Sequence, residues 1–152
     1  MKTESELRSA IIFLLSRREY SRFEIEQKYR HEYEAETLTK VLDEFAEKGY
    51  QSDQRFAGVL VRSKTEQGFG VLRILQDARR KGLPERLVKD AIEQEDVDWY
   101  ANAKALLERK TSQKIDFKDR TESQKRLRYL LSRGFSYDEA RYALESAHTE
   151  RE

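Results

Sequence analysis

Apolar residues recur at three- and four-residue intervals along nearly the whole chain, and no alternating run bounded by turn residues interrupts them. The pattern predicts helices throughout. Leu7, Ile11, Leu14 and Leu15 line a first helix over 4–18, with Ile12 and Phe13 widening its apolar side. Ser21 and Glu24 form an S-x-x-E capping box, each satisfying a backbone donor of the other, and open a second helix carrying Phe23, Ile25 and Tyr29. Leu38, Val41, Leu42 and Phe45 give a third, ended by Gly49.

The central stretch, Gly49 to Ile92, reads as three helices separated by two glycine-bearing turns. Ser52 or Asp53 caps the first, and Phe56, Val59, Leu60 and Ser63 form its narrow stripe. Gly68-Phe69-Gly70 suits a tight turn with Phe69 as the plug. Val71, Leu75 and Ala78 are the expected buried line of the next helix. Gly82 ends it as a C′ residue with Leu83 as the apolar contact after it. Pro84 opens the third at its first position, with Leu87, Val88, Ala91 and Ile92 inward.

An acidic joint follows at Glu93, Glu95, Asp96 and Asp98, and either aspartate can cap a helix holding Trp99, Ala103, Leu106 and Leu107. Residues 111–119 have no period and are expected to be loop. A helix over 121–133 points Leu127, Leu130 and Leu131 inward and stops at Gly134. A second capping box, Ser136 with Glu139, opens a last helix with Ala140, Ala143, Leu144 and Ala147, fraying from Thr149.

These elements repeat. Leu14-Leu15-Ser16-Arg17 leads to the Ser21 box as Leu130-Leu131-Ser132-Arg133 leads to the Ser136 box. Lys81-Gly82-Leu83-Pro84 and Arg133-Gly134-Phe135-Ser136 are one joint with different caps. Unit-opening helices begin near Ser5, Ser52 and Asp96, spacings that predict three degenerate three-helix units at 4–49, 50–94 and 95–148, in one continuous extended body. The fold class expected is all-α, built from tandem three-helix repeats of the helix-turn-helix sort.

Of the 152 residues 39% are charged and 38% hydrophobic, so each helix has little apolar surface to bury and a thin body is expected. Cysteine is absent, which excludes disulfides, thiolate metal sites and a cysteine nucleophile. The longest apolar run, Ala10–Leu15, is far short of a membrane span, and Met1-Lys2-Thr3-Glu4 does not open a signal sequence. A cytoplasmic, monomeric protein with no membrane association is expected.

Catalytic chemistry finds no constellation. His31 lies in a polar turn and His148 in the tail, the acid pairs have no apolar pocket to raise a pKa, and Gly68-Phe69-Gly70 lacks both a third glycine and a flanking strand. No enzyme activity, cofactor or metal is expected.

The bases are the better lead. From Arg55 to Lys81 there are seven (Arg55, Arg62, Lys64, Arg73, Arg79, Arg80, Lys81) against Glu66 and Asp77, an excess of five in a chain whose net charge is +1. Arg55 and Arg62 share one helix face, Arg73 and Arg80 another. A second excess runs through Lys118, Arg120, Lys125, Arg126, Arg128 and Arg133, against Asp119 and Glu122. Patches of alternating sign suit a charged partner, and so small a net charge favours a protein or a protein–nucleic-acid assembly over bare DNA. Arg55, Arg62, Lys64, Arg73, Arg79, Arg80, Lys81, Lys125, Arg126, Arg128 and Arg133 are therefore the candidate partner- or DNA-facing residues. The competing reading is a helix-turn-helix module acting on naked DNA.

Asp53-x-Arg55-Phe56-Ala57, Val61-Arg62, Gly68-Phe69-Gly70, Ile74 and Lys81-Gly82-Leu83 together resemble the signature of the RecX family of recombinase regulators. Gly49-Tyr50, the Ser21 box and the Arg133-Gly134-Phe135 joint extend the resemblance from about Leu7 to Leu144. Val71, where the family usually has proline, Gln51-Ser52 and Ala78 depart from it. The resemblance implies three tandem repeats in an elongated, curved body. It also implies binding along the groove of the RecA filament on single-stranded DNA. Restraint of ATP hydrolysis, strand exchange and LexA-type co-protease activity would follow, within DNA repair, homologous recombination and the SOS response. The family has no catalytic residues to carry over.

Overall fold

In the computed structural model, residues 2–111 and 119–149 are described. Among these there are nine helices and no strand: α1 (Glu4–Arg17), α2 (Arg22–Tyr29), α3 (Ala35–Glu47), α4 (Asp53–Glu66), α5 (Val71–Arg80), α6 (Glu85–Glu95), α7 (Trp99–Lys110), α8 (Arg120–Ser132) and α9 (Tyr137–Thr149). The loop expected at 111–119, with Lys118, falls mostly outside the described residues, as do the side chains of Ala147 and His148.

The chain forms two compact units. One holds the chain up to Leu60 together with Ala78–Ala91; the other holds Val61–Asp77 together with the chain from Ile92 onward. Helices α4, α5 and α6 therefore each contribute to both.

In the first unit, Leu7, Ile11 and Leu14 meet Ile25, Tyr29, Tyr33, Leu38, Val41, Leu42 and Phe45 in one core. Caps set the helix starts. Thr3 accepts from Glu6 N–H at 3.2 Å. Ser21 accepts from Glu24 N–H at 3.1 Å while the Glu24 carboxylate takes Ser21 N–H at 3.0 Å, the capping box in full. Ile12 and Phe13 do not widen the apolar side of α1 and are exposed. They lie one and two residues beyond Ile11, too far around the helix to share its face. Phe23 is likewise half out.

In α4 the buried face is Phe56, Ala57, Leu60 and Val61, so Val59 and Ser63 point outward, against expectation. In α5 it is Ile74 and Ala78 that are buried, with Val71 and Leu75 only partly so. Arg55 N–H donates to Ser52 Oγ at 3.1 Å, making Ser52 the cap of α4. Pro84 sits one residue before the assigned start of α6, its carbonyl accepting from Leu87 and Val88.

In the second unit, Ala103, Leu106 and Leu107 of α7 pack with Leu130 of α8, Phe135, and Ala140 and Ala143 of α9. Leu131 lies on the exposed side of α8. Asp98 caps α7 through Ala101 N–H at 3.0 Å, and the second capping box forms between Ser136 and Glu139.

Helix α8 ends in a Schellman turn: Phe135 N–H returns to Leu130 O and Gly134 N–H to Leu131 O. The turn then serves another helix. Arg133 O accepts Gly70 N–H at 2.8 Å, and Gly134 O accepts Leu72 N–H at 3.0 Å, so two donors at the start of α5 are satisfied there. The approach is so close that a Cβ on Gly70 would lie 2.6 Å from the Gly134 carbonyl, and one on Gly134 would lie 2.4 Å from Arg73 Cβ. Gly134 also has φ +99°. The first unit has a related joint. Ser21 Oγ donates to Lys81 O at 2.8 Å, and Gly82 abuts Phe23.

Surface charge in the first unit is knitted around Arg8, which pairs with Glu4 at 3.1 Å and with Glu44. Lys40 joins Glu4 at 3.2 Å and Lys48 joins Glu44 at 3.4 Å. The Arg8 guanidinium, with Lys48 behind it, holds the Glu44 carboxyl down to about 2.

Two outcomes follow from these contacts. Gly134→Ala combines a left-handed backbone with a backbone collision and is expected to cost about 2–4 kcal/mol. Gly49→Ala has a similar φ but open space, and is expected to cost about 1 kcal/mol. Urea midpoints of the two variants measure the difference. Glu44 contributes stability that is complete above the ordinary carboxylate pKa and is lost as pH falls through about 2. Glu44→Gln should flatten the acid limb of a stability–pH curve between about pH 4.5 and pH 2, and an unaltered limb would show the pair contributes nothing.

Candidate functional site

Gly68-Phe69-Gly70 is the turn between α4 and α5, and Phe69 N–H closes α4 onto Lys64 O at 3.0 Å. The ring of Phe69 is surrounded by cations. The Arg133 guanidinium carbon lies 3.9 Å from the ring centroid, that of Arg73 4.6 Å, and Lys64 Nζ 5.2 Å. Arg109 completes the group, its terminal nitrogen 3.8 Å from where a Cβ on Gly68 would lie, beside Arg133 at 3.5 Å. Asp77, nearly buried, is the carboxylate that answers them: one oxygen meets Lys64 at 3.3 Å, the other Arg73 at 3.3 Å. Arg133 also donates to Gln67 O, fixing its guanidinium over the ring.

Each position has a local cause. Lys64 and Phe69 flank the Schellman turn that ends α4. Arg73 lies one turn into α5, four residues before Asp77. Arg133 immediately precedes Gly134, whose carbonyl holds the start of α5. Three cations around an aromatic ring, a fourth beside Gly68 and one carboxylate among them leave a positive field that attracts an anionic surface.

Three of the sequence-predicted residues, Lys64, Arg73 and Arg133, thus come together. Arg109 was missed because it follows a run of ordinary α7 residues; only the basic pair Arg109-Lys110 at that helix end signalled it. The other candidates are dispersed. Arg55 is a clasp, reaching the carbonyls of Gly49 and Tyr50 at 3.1 Å each and pairing with Glu19. Arg62 pairs with Glu95 at 3.4 Å on an exposed face. Arg79 and Arg80 are exposed near the end of α5. Lys81 binds Glu24 at 2.9 Å. Burial pushes the Glu24 carboxyl up, but the Ser21 N–H, Lys81 and Arg18 together hold it below the usual range.

On α8, Lys125 and Arg128 are exposed. Arg126 is not: it is 7% exposed and bonded to Glu122 at 3.1 Å. Its expected partner-facing role is corrected, because four residues from Glu122 it turns inward and spends its charge inside the fold. Among the described residues no group of three His, Cys, Asp or Glu side chains is placed to hold a metal ion, and no helix is long and apolar enough to cross a membrane.

Comparison with known proteins places these features. Residues 52–92 match the sequence model of the second three-helix domain of RecX, and residues 96–144 that of the third. The regulatory protein RecX of Halorhodospira halophila is 37% identical over 142 residues, covering 93% of this chain and 88% of that protein. That of Chromohalobacter salexigens is 36% identical over 146 residues, covering 95% and 94%. The fold is shared with the crystal structure of RecX from Lactobacillus salivarius, at a TM-score of 0.81 and 21% identity over 96% of this chain and 97% of that one. The two domain matches and this extent of identity establish that the chain belongs to the RecX family of regulatory proteins.

Proposed function

We propose that this protein is a non-enzymatic inhibitor of the RecA recombinase. It binds the RecA–single-stranded DNA filament along its groove and restrains ATP hydrolysis, strand exchange and co-protease activity. The observation that carries this reading is membership of the RecX regulatory family across most of the chain. The positive group around Phe69 supports it as a surface suited to acidic protein or to DNA held within the filament. In this reading the chain is a cytoplasmic monomer of three repeats, 4–49, 50–94 and 95–148, joined in one body. Bridging neighbouring RecA protomers would oppose the changes that accompany ATP turnover.

The candidate bases differ in how much of their charge their own fold uses. Arg55, Lys81 and Arg126 are engaged in holding the fold. Arg109, Arg133, Lys125, Arg128 and Arg79 pair with no carboxylate among the described residues and keep more of theirs available to a partner.

The test is single-stranded-DNA-dependent ATP hydrolysis by RecA, with this protein titrated in at two salt concentrations. Inhibition well below the amount needed to cover the DNA supports action on the filament. An effect matched by equal binding to naked duplex, with steep salt dependence, supports the helix-turn-helix alternative instead. The paired reversal Arg109→Glu with Arg133→Glu, and separately Lys125→Glu with Arg128→Glu, should each raise the half-inhibitory concentration roughly tenfold. Helicity by circular dichroism should not change. Full inhibition by either pair with intact helicity would remove that pair from the interface.

A further inference from the structure

A second cluster of cations and rings lies in the first unit, built from bases that charge counting did not single out. Phe13, Arg17 and Arg18 at the end of α1, Tyr20 in the turn, and Lys28 and Tyr29 at the end of α2 line an open groove of about 600 Å³. Among the described residues no carboxylate lines it. Phe13 is 61% exposed, which core packing does not explain. Arg17, one turn further, has its guanidinium 5.7 Å from the Phe13 ring. Arg18 covers the outer face of Tyr20 at 3.5 Å. Lys28 Nζ stands 5.9 Å from the ring of Tyr29, which is itself part of the core.

The charges here are largely unspent. Arg18 pairs with Glu24 at 3.3 Å, but no carboxylate is paired with Arg17 or Lys28 among the described residues. Glu24, the acid beside Arg18, is already occupied by Ser21 N–H, Arg18 and Lys81. An exposed ring flanked by unpaired cations is the combination that binds single strands, with phosphates on the cations and a base on the ring face. An acidic peptide would use the cations but would leave Phe13 exposed without a planar partner.

We propose that this groove binds a short stretch of single-stranded nucleic acid, with Arg17 and Lys28 on phosphates and Phe13 stacked under a base. The site is independent of the Phe69 cluster and does not require RecA.

The experiment is fluorescence anisotropy of a labelled twenty-nucleotide oligothymidine with the full chain, without RecA, over a range of salt. Arg17→Glu with Lys28→Glu should weaken binding at least tenfold and lower the slope of log affinity against log salt by about 1.4, two phosphates' worth. Phe13→Ala, a surface change that leaves the core untouched, should weaken oligothymidine roughly tenfold while leaving binding to an abasic strand of equal length unchanged. Oligothymidine binding that survives both variants at full strength overturns the proposal. So does its absence in the unaltered protein, or capture of a polyglutamate peptide by Arg17 and Lys28 in its place. Because RecA is absent throughout, none of these results bears on filament inhibition.

Discussion

A helix that begins at Val71 leaves its first N–H groups without partners inside the helix, and one that ends at Ser132 leaves its last carbonyls in the same condition. In the second unit the turn that closes α8 answers the donors that open α5, through Arg133 O with Gly70 N–H and Gly134 O with Leu72 N–H. The exchange is possible only where two backbones touch, and glycine at 70 and at 134 is what lets them. Much else follows from this contact. It fixes Phe69 one residue before Gly70, and it brings Arg133, one residue before Gly134, across the Phe69 ring.

The first unit reaches a similar end by other means. Lys81 stands before Gly82 as Arg133 stands before Gly134, and in both joints the carbonyl preceding the glycine is an acceptor for a turn far away in sequence. There the donor is a hydroxyl, Ser21 Oγ, which already caps α2. One serine thus ends one helix's need and begins another's support. The side chain of Lys81, carried by the same turn, reaches the Glu24 that completes the capping box. Capping, turn closure and ion pairing are one network here.

Charge is abundant in this chain, and its use divides the bases by role. Arg8, Arg22, Arg55, Lys81 and Arg126 answer carboxylates or carbonyls of their own fold, and pairs of this kind at exposed positions add little each. Of the bases at the Phe69 turn, Lys64 and Arg73 share Asp77, and Arg109 and Arg133 pair with no carboxylate among the described residues. That imbalance, rather than the number of bases, is what makes a surface attractive to an anionic partner. The glycine joint holds Phe69 and Arg133 in fixed register, and with them the cations gathered there.

The helices, their caps and their recurrence were legible in the sequence because each depends on neighbours within about a turn. The Ser21 and Ser136 boxes, Asp98, and the Gly82 and Gly134 closures formed as their spacing implied, and the RecX resemblance carried the family. Which face of a helix is buried was legible for some helices and not for others. In α3 the stripe of Leu38, Val41, Leu42 and Phe45 is wholly inside, whereas α4 and α5 turned Val59 outward and Ile74 inward. The fate of the bases was legible only in part. Arg126 and Arg128 are two residues apart with equal charge, yet one is sealed against Glu122 and the other is exposed. Local composition determines that a residue is charged; only the tertiary structure decides whether a carboxylate, a carbonyl or an aromatic ring from a distant turn arrives beside it.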